Sequence, residues 1–398
     1  MKRAVIFILV LNFFQGLWHN LGHPVTPAFV TSLGIPDFMF GVFFALMALG
    51  LVIGSPIWGT LGDSSTKAKY ALAGLLIYSV GQLGFGFSNN MYLMSIFRFV
   101  SGFGVAASIT LMMSHIIEHS TDQNRSRHLA FYAAVYLAGS SSGYYLGGLL
   151  TENAFLVQLL HTDNLANIFL IQAVVNIFHA SLMYFMIKAD DVKKTEVTRK
   201  SPIEQLKEVR SLDPLLLAFL VSLLLISLGA INLTKYIEVF MSYSGFSPYE
   251  IGVFVLATGG VSLFANVVIT PLLAKLRINL ALMVWIQLLS AVIVLVVFRL
   301  PNVVVALYSL YMGYIMLKAI YAPLEQSFIA SFASPGSYGK IIGVRQSFFS
   351  IGMVIGPLIG GVIYNYNKLL VFDVSALMFF LGFVLLLLIG RKMKARTA

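Results

Sequence analysis

The chain has 398 residues, of which 59% are hydrophobic and only 11% are charged. Soluble globular domains carry about 25% charged residues, so this composition excludes a soluble protein and indicates an integral membrane protein. The chain contains no cysteine, which excludes disulfides, thiol metal ligands and thiolate nucleophiles. The formal net charge of +10 raises the possibility of nucleic-acid binding, but the placement of the basic residues along the chain argues against it.

Long apolar segments recur along the whole chain, and each is close to the roughly 20 residues that cross a bilayer as a helix. The first one follows a basic tip but is too long for the core of a signal peptide, and no A-x-A cleavage site follows it, so we interpret it as a retained helix. We predict twelve membrane spans, numbered in chain order, at about 4–29, 39–60, 69–87, 91–117, 129–151, 163–188, 214–242, 247–273, 279–299, 302–330, 341–364 and 369–390.

The basic residues favour one side of the membrane. Of the 26 Lys and Arg residues, only Arg299 and Lys368 fall in the loops of one side, whereas the tails, the opposite loops and the polar segment 189–213 are rich in them. Cytoplasmic loops carry such an excess, so we predict that both termini and this segment are cytoplasmic, in a bacterial inner or plasma membrane. The positive charge then reflects topology and attraction to anionic lipid headgroups. We expect no nucleic-acid partner.

The polar segment 189–213 is predicted to link an N-terminal half, residues 1–188, to a C-terminal half, residues 214–398. Its stretch SPIEQLKEVRSLD places Ser201 and Glu204 at the spacing of a capping box and continues with an apolar residue at every third position. This pattern indicates a short amphipathic helix on the cytoplasmic surface. A solvated tether is the alternative.

Two glycine-rich stretches reveal an internal duplication. GSSSGYYLGG at 139–148 and GMVIGPLIGG at 352–361 share the pattern G-x3-G-x3-G-G. SPIWGTLGD of span 2 aligns with TPLLAKLRI of span 8, and GVFFAL with GVFVLA of the same two spans. The sequence therefore predicts an all-α membrane protein of twelve transmembrane helices, arranged as two pseudo-symmetric six-helix halves around a central cavity. Parallel repeats of this kind belong to a transporter architecture with its substrate site between the halves.

Three motifs make the whole chain resemble the major facilitator superfamily, most closely its twelve-span drug:proton antiporter group. GTLGDSSTKAK is similar to the signature G-x-L-x-D-R-x-G-R-R between spans 2 and 3, with Gly59 and Asp63 in place, but it departs from that signature at Ser64 and Thr66. RFVSGFGVAAS, which begins at Arg98, is similar to the span 4 signature, and HPVTPAFVTSLGI to the element that ends span 1. The resemblance implies transport by alternating access, with Gly59 and Asp63 serving the conformational change.

A fourth motif, G-x3-G-P-x2-G-G, belongs to span 5 of antiporters in the resembled group. Here its full form, with Pro357, lies in span 11, whereas span 5 has Tyr144 in place of the proline, which weakens the inference of export. In the resembled fold, spans 5 and 11 pack near the interface of the halves, against spans 8 and 2. We therefore predict that the halves rock on smooth contacts formed by Gly139, Gly143, Gly147, Gly352, Gly356, Pro357 and Gly360.

Polar residues inside the membrane fall on single helical faces of four spans. These faces are Asn12, Gln15, His19, His23 and Thr26 in span 1; Arg98, Ser101, Ser108, Met112 and His115 in span 4; Asn232, Lys235 and Glu238 in span 7; and Tyr311, Tyr314, Lys318, Tyr321 and Glu325 in span 10. A polar stripe that faces lipid is prohibitively costly, so these faces point inward. In the resembled family the same four spans line the central cavity. We assign to the substrate cavity Asn12, Gln15, His19, Arg98, Asn232, Lys235, Tyr311, Tyr314, Lys318 and Tyr321.

Several of these polar residues also have structural interpretations. Ser, Asn and His side chains commonly form hydrogen bonds between membrane helices. Lys235 and Glu238 are spaced i, i+3 and are able to neutralise each other. Arg345, one turn inside span 11, is expected to snorkel to the membrane surface. His19 and His23 lack partners at metal-ligand spacing, so no metal and no other cofactor is expected.

A proton-coupled transporter needs a group whose charge changes near neutral pH, and a carboxylate in a low-dielectric cavity meets this need. Glu238 and Glu325 are the candidates. The aromatic, amphipathic cavity favours bulky amphiphilic substrates, and the resemblance implies a secondary transporter that exports amphiphilic drugs or small organic metabolites in exchange for protons. We expect a monomer. The alternatives are specific transport of an organic anion or a lipid headgroup in either direction, and a non-transporting receptor on the same fold. The motifs of intramembrane proteases are absent, so no enzyme is expected.

Overall fold

The computed structural model describes residues 3–64, 66–121, 123–188, 213–274, 279–332 and 338–397. Within these ranges the regular structure is helical and no strand occurs. The chain divides into two compact units. The first unit is Met1–Arg199 with Glu238–Gly259, and the second unit is Lys200–Ile237 with Gly260–Ala398. Apart from Asp213, the predicted linker and its amphipathic helix lie outside the described residues, so the predicted boundary between the halves stays a prediction.

The helices of the first six spans follow one another with short connections. Their bounds are Arg3–His19 and Thr26–Ser32 for span 1, Phe38–Ser64 for span 2, Lys67–Phe87 for span 3, Met91–Glu118 for span 4, Arg125–Glu152 for span 5 and Ala166–Lys188 for span 6. A short helix, Ala154–Leu160, connects spans 5 and 6.

The remaining six spans contain two interruptions by π-helix. Their bounds are Pro214–Tyr243 for span 7; Pro248–Phe264, the π-helix Ala265–Ile269 and Thr270–Ala274 for span 8; Asn279–Val297 for span 9; Val303–Ala306, the π-helix Leu307–Tyr311 and Met312–Ala330 for span 10; Tyr338–Tyr366 for span 11; and Leu370–Thr397 for span 12.

Among the described residues, 10 helices are long and apolar enough to cross a membrane. The other two predicted spans are also helical. The span 5 helix has 28 residues, but glycine, serine and tyrosine lower its hydropathy. The apolar part of span 1 is the shorter helix Val5–His19. Every predicted span is therefore occupied by helix, which confirms the all-α membrane fold.

The prediction of one continuous helix over 4–29 is wrong, because span 1 breaks after His19. Pro24 lacks the backbone N–H that a continuing helix needs and disfavours helical geometry in His23 before it, whereas Pro27 lies in the first turn of the next helix, where proline is tolerated. The exposed carbonyl groups at the break are satisfied from span 6, where Gln172 Nε2 donates to the oxygens of Trp18 at 2.9 Å and His19 at 2.8 Å. The predicted polar face of span 1 therefore ends at His19.

The duplication extends to the turns that follow spans 1 and 7. Gly34 and Gly245 have φ of 67° and 89°, in the left-handed region that glycine adopts without steric cost. Ile35 N then donates to Val30 O, and Phe246 N to Met241 O, which closes both helices in the same way. Each turn leads into the repeated GVF segment.

The π-helix in span 8 has a local cause in Pro271. Proline removes a helical donor and crowds the carbonyl one turn earlier, and a wider turn relieves that crowding. The Thr270 hydroxyl donates to Ala265 O at 3.0 Å, which satisfies a carbonyl inside the widened turn.

Span 4 packs closely against spans 2 and 3, and its signature glycines make this possible. A Cβ at Gly102 would overlap the carbonyl oxygen of Met47, and one at Gly104 would lie 2.5 Å from the carbonyl oxygen of Gly74. Small residues of this kind allow membrane helices to approach backbone to backbone. This packing fixes the position of Arg98, one turn earlier on span 4.

Candidate functional site

Arg98 is a buried cation in the first unit, with 4% of its surface exposed. Its guanidinium carbon lies 3.6 Å from the centroid of the Phe85 ring, and Nη2 donates to Thr26 Oγ1 at 3.4 Å. No carboxylate of the described ranges forms an ion pair with it. A desolvated cation on an aromatic face gains about 2 kcal/mol, so the Phe85 ring offsets part of the cost of burying Arg98 in the helix bundle.

The polar face of span 1 lies in the packed interior of the first unit. Asn12 Nδ2 donates to Tyr132 O of span 5 at 2.7 Å, and His19 Nε2 lies 3.2 Å from Asn176 Oδ1 of span 6. Because the Asn176 amide nitrogen already donates to Leu75 O and to a serine hydroxyl, its oxygen accepts, which assigns the proton to His19 Nε2. Asn12 and His19 thus join helices, as the structural interpretation requires.

Gln15 lies between these two residues and is fully buried. Neither polar atom of its side chain has a hydrogen-bond partner within the described part of the chain. Buried polar atoms in native structures are nearly always satisfied, so Gln15 is the strongest span 1 candidate for a contact that forms in another state. Its role in the substrate cavity stays a prediction.

Glu238 is also buried in the first unit, where it meets the residue that replaces the proline of the antiporter motif. The Tyr144 hydroxyl donates to Glu238 Oε1 at 2.8 Å. The Tyr144 ring stacks on His23, with 5.3 Å between ring centroids and 17° between planes. The departure from the motif therefore supplies a hydrogen-bond donor to a predicted proton carrier. Sequence reasoning missed this contact because the two residues belong to spans that are far apart in the chain.

The second unit contains a cavity of about 310 Å³ that opens among spans 7, 10 and 11. Four residues predicted from the polar faces line it, namely Lys235, Lys318, Tyr321 and Glu325. Its other lining residues are mostly apolar. They are Leu223, Ile226, Ser227, Ala230, Ile231, Thr234, Ala322, Arg345, Phe349 and Met353.

Arg345 and Glu325 form a bidentate ion pair at this cavity. Arg345 Nε donates to Oε1 of Glu325 at 2.9 Å, and Nη2 donates to Oε2 at 2.7 Å. The two side chains are only 17% and 3% exposed. The expectation that Arg345 snorkels to the surface is therefore corrected, because a buried carboxylate on span 10 holds its guanidinium in the fork geometry that such pairs favour.

Lys318 is the second cation at the cavity, and its side chain is exposed there. Its Nζ donates to the hydroxyl of Thr234 at 3.0 Å. Within the described residues no carboxylate forms an ion pair with Lys318. Lys235 lines the same cavity, so two lysines and one neutralised arginine face its apolar walls.

Asn232, Tyr311 and Tyr314 do not line this cavity. Asn232 is buried against span 11, where a Cβ at Gly360 would lie 2.5 Å from its Oδ1. Tyr314 packs on Phe379 of span 12, with ring centroids 5.6 Å apart, and on Tyr311. The π-helix that ends at Tyr311 contributes one extra residue, so the helical spacing that predicted Tyr311 on the face of Lys318 does not hold. Tyr314 lies beyond the π-helix and is held away from the cavity by its packing on span 12.

The loop signature between spans 2 and 3 lies against the end of span 4. Gly59 is buried and Asp63 is half-buried in the last turns of the span 2 helix. Lys67, which matches a basic position of the signature, pairs with Glu118 of span 4 at 2.9 Å. The conformational role of Gly59 and Asp63 stays a prediction.

The predicted rocking glycines pack on the first helix of their own half. A Cβ at Gly139, Gly143 or Gly147 would overlap the carbonyl oxygens of Phe13, Leu17 and Leu21, respectively. The expected contact of span 5 with span 8 is therefore corrected for these three glycines. Span 5 contacts span 8 instead through Ser141, Tyr144 and Gly148, which face Gly259, Gly252 and Pro248, respectively.

The matching stretch of span 11 packs on span 7, but less closely. A Cβ at Gly352 would lie 3.0 Å from Ser227 Cβ, and one at Gly356 would lie 3.6 Å from its nearest neighbours. The Pro357 carbonyl accepts a hydrogen bond from the Tyr236 hydroxyl at 2.9 Å. The two duplicated contacts are therefore equivalent in position and unequal in tightness.

The sequence matches known families over most of its length. The profile of the Major Facilitator Superfamily matches residues 6–317. The chain is 23% identical over 403 residues to Multidrug resistance protein 2 of Bacillus subtilis (strain 168), a match that covers 98% of this chain and 95% of that protein. It is 22% identical over 368 residues to Quinolone resistance protein NorA of Staphylococcus aureus (strain MRSA252), with 91% and 90% covered.

Solved structures share the fold. A bacterial homologue of the human lysosomal transporter Spinster, in an inward-facing and occupied conformation, superposes with a TM-score of 0.74 at 12% identity, covering 98% of this chain and 96% of that one. The human organic anion transporter MFSD10 (TETRAN) gives 0.62 at 17% identity, with 96% and 99% covered. At these identities the likeness concerns the fold alone, and it agrees with the predicted fold class.

Proposed function

The chain belongs to the Major Facilitator Superfamily of transporters, and from this premise we propose that it exports amphiphilic drugs or small organic metabolites in exchange for protons. Membership makes it a multi-pass membrane transporter and not an enzyme. The proposal further places it as a monomer in a bacterial plasma membrane with both termini in the cytoplasm.

The observation that carries the proposal is the cavity of the second unit. Its walls are apolar over most of their extent, and an acid, Glu325, stands among its lining residues. Its volume of about 310 Å³ lies at the lower end of the range of roughly 300–1,000 Å³ that small-molecule sites occupy. An apolar cavity with a few polar groups suits molecules that have an apolar body and a polar end.

Glu325 couples protons to this cavity through its pairing with Arg345. As a carboxylate it accepts two charge-assisted hydrogen bonds from the guanidinium. A proton on Glu325 removes the negative charge and takes up one acceptor oxygen, so it weakens the pair and frees Arg345. Protonation and the arrangement of spans 10 and 11 are thereby linked at the place where substrate binds.

Glu238 is the second candidate proton carrier. It is buried, and it accepts a hydrogen bond from Tyr144 of span 5. A change in its charge therefore alters a contact between spans 5 and 7, as a change at Glu325 alters a contact between spans 10 and 11. The similarity to two drug-resistance proteins at 22–23% identity supports export of drugs.

The test is proton movement driven by substrate in proteoliposomes. We expect the wild-type protein to move protons when a pyrene-labelled amphiphile is added, and we expect Glu325→Gln or Glu238→Gln to lose this coupling. Glu152→Gln is the matched control, because Glu152 is exposed at the end of the span 5 helix and is not among the residues that line the cavity. If both Glu325→Gln and Glu238→Gln keep full coupling, the assignment of the proton carriers is wrong. Wild-type transport without proton movement would refute proton exchange.

A further inference from the structure

We propose that Lys318, oriented by Thr234, is the subsite that receives the acidic group of an amphiphilic substrate. The transporter then selects amphiphiles with a carboxylate, sulfonate or phosphate at one end. This inference rests on the proposed function, because it assigns the polar end of the substrate to one place in the cavity of the second unit.

The hydrogen bonds around Lys318 define the geometry. The Thr234 hydroxyl donates its own proton to Ala230 O at 2.7 Å, so its oxygen accepts from Lys318 Nζ at 3.0 Å. An ammonium group has three N–H donors, and Thr234 accepts only one of them. No other described residue accepts from Lys318. The threonine thus anchors the ammonium, and two donors remain for a ligand in the cavity.

The charges that line the cavity favour an anion. Glu325 is the only acid among the lining residues, and its two oxygens are both bonded to Arg345. Glu325 therefore does not neutralise Lys318. Because an ionised group inside the membrane is costly, an ammonium that no acid neutralises calls for a functional explanation. A substrate anion provides the missing counter-charge.

The apolar walls of the cavity determine the chemical character of the rest of the ligand. Phe349 and Met353 of span 11 and Ile231 of span 7 line the same cavity as Lys318. A purely polar anion would leave these walls without an apolar partner, whereas a purely apolar molecule would leave the ammonium unpaired. An amphiphile with one acidic end satisfies both. A cationic amphiphile of the same shape is disfavoured by Lys318.

The experiment compares three compounds with one skeleton, namely pyrenebutyric acid, its primary amide and pyrenebutylamine. Binding is measured with purified protein in nanodiscs, and uptake is measured in inside-out vesicles. We expect the wild-type protein to bind the acid about tenfold or more tightly than the amide, and the amine least tightly. Lys318→Gln should abolish the preference of acid over amide, whereas Lys318→Arg should retain most of it.

Two further variants make the result specific. Thr234→Val should reduce the acid-over-amide ratio by a smaller factor than Lys318→Gln does, because it removes only the group that orients the ammonium. Lys368→Gln is the control, since it makes the same change of charge at a residue between spans 11 and 12 that does not line the cavity. A size-exclusion profile and an apparent melting temperature equal to those of the wild-type protein show that Lys318→Gln is folded.

Equal binding of acid, amide and amine by the wild-type protein would overturn the proposal. So would a Lys318→Gln variant that still prefers the acid. The proposed subsite and the proposed proton carriers are refuted by different results. An acid preference that depends on Lys318, found together with full coupling in the Glu325 and Glu238 variants, supports the subsite and refutes the proton carriers.

Discussion

At the scale of single residues, the two acids inside the spans both have partners that local sequence does not show. Glu238 accepts from Tyr144, and Glu325 pairs with Arg345. The sequence alone presented Tyr144 as a departure from the antiporter motif, and it presented Arg345 as a cation that snorkels to the membrane surface. Helical periodicity identified the two acids, but it does not indicate which neighbouring helix faces them.

The ion pair of Arg345 and Glu325 leads to a stability prediction. Removing one partner of a buried pair costs about 3–5 kcal/mol, because an uncompensated charge remains. We therefore expect Arg345→Gln to lower the apparent melting temperature of the purified protein markedly. The double variant Arg345→Gln with Glu325→Gln should recover much of the loss. A scanning fluorimetry measurement in which the two changes are simply additive would contradict this coupling.

At the scale of helices, the duplicated glycine stretches serve the same pair of elements in each half. Span 5 packs on span 1, and span 11 packs on span 7. The span 5 contact is the closer one, because the three glycines meet backbone carbonyls that have no freedom to move aside. In span 11, the nearest atoms to Gly356 lie at ordinary van der Waals distance.

This difference predicts opposite outcomes for one substitution made at two matching positions. Gly143→Ala places a methyl group against the carbonyl oxygen of Leu17, so we expect a large loss of folded protein and of transport. Gly356→Ala fits beside Asn232 and Leu228 at 3.6 Å, so expression and transport should remain close to wild type. Size-exclusion yield and vesicle uptake of the two variants provide the measurement. Equal effects at both positions would show that the contacts are equally tight.

At the scale of the whole molecule, the basic residues predict that the termini and the loop between spans 4 and 5 are cytoplasmic. The chain has no cysteine, so a single introduced thiol gives an unambiguous signal. In intact cells, an impermeant maleimide should label Asn89→Cys, in the loop between spans 3 and 4, but not Thr121→Cys. In inside-out vesicles the pattern should reverse. Labelling of Thr121→Cys in intact cells would invert the topology.

The sequence by itself determined the membrane class, the positions of the helices, the duplication and the family. These follow from hydropathy and from local motifs, because a bilayer forces each apolar segment of sufficient length to satisfy its own backbone as a helix. The four polar faces also followed from periodicity, and four of their members line the cavity of the second unit.

Only the tertiary structure decided where span 1 breaks, where π-helix shifts the face of span 10, and which side chains meet. The break depends on Pro24 together with a Gln172 side chain from span 6. The roles of Arg345, Tyr144 and Thr234 depend on contacts between helices that are remote in the chain. Such contacts are set by how whole helices pack, a property that no single segment encodes.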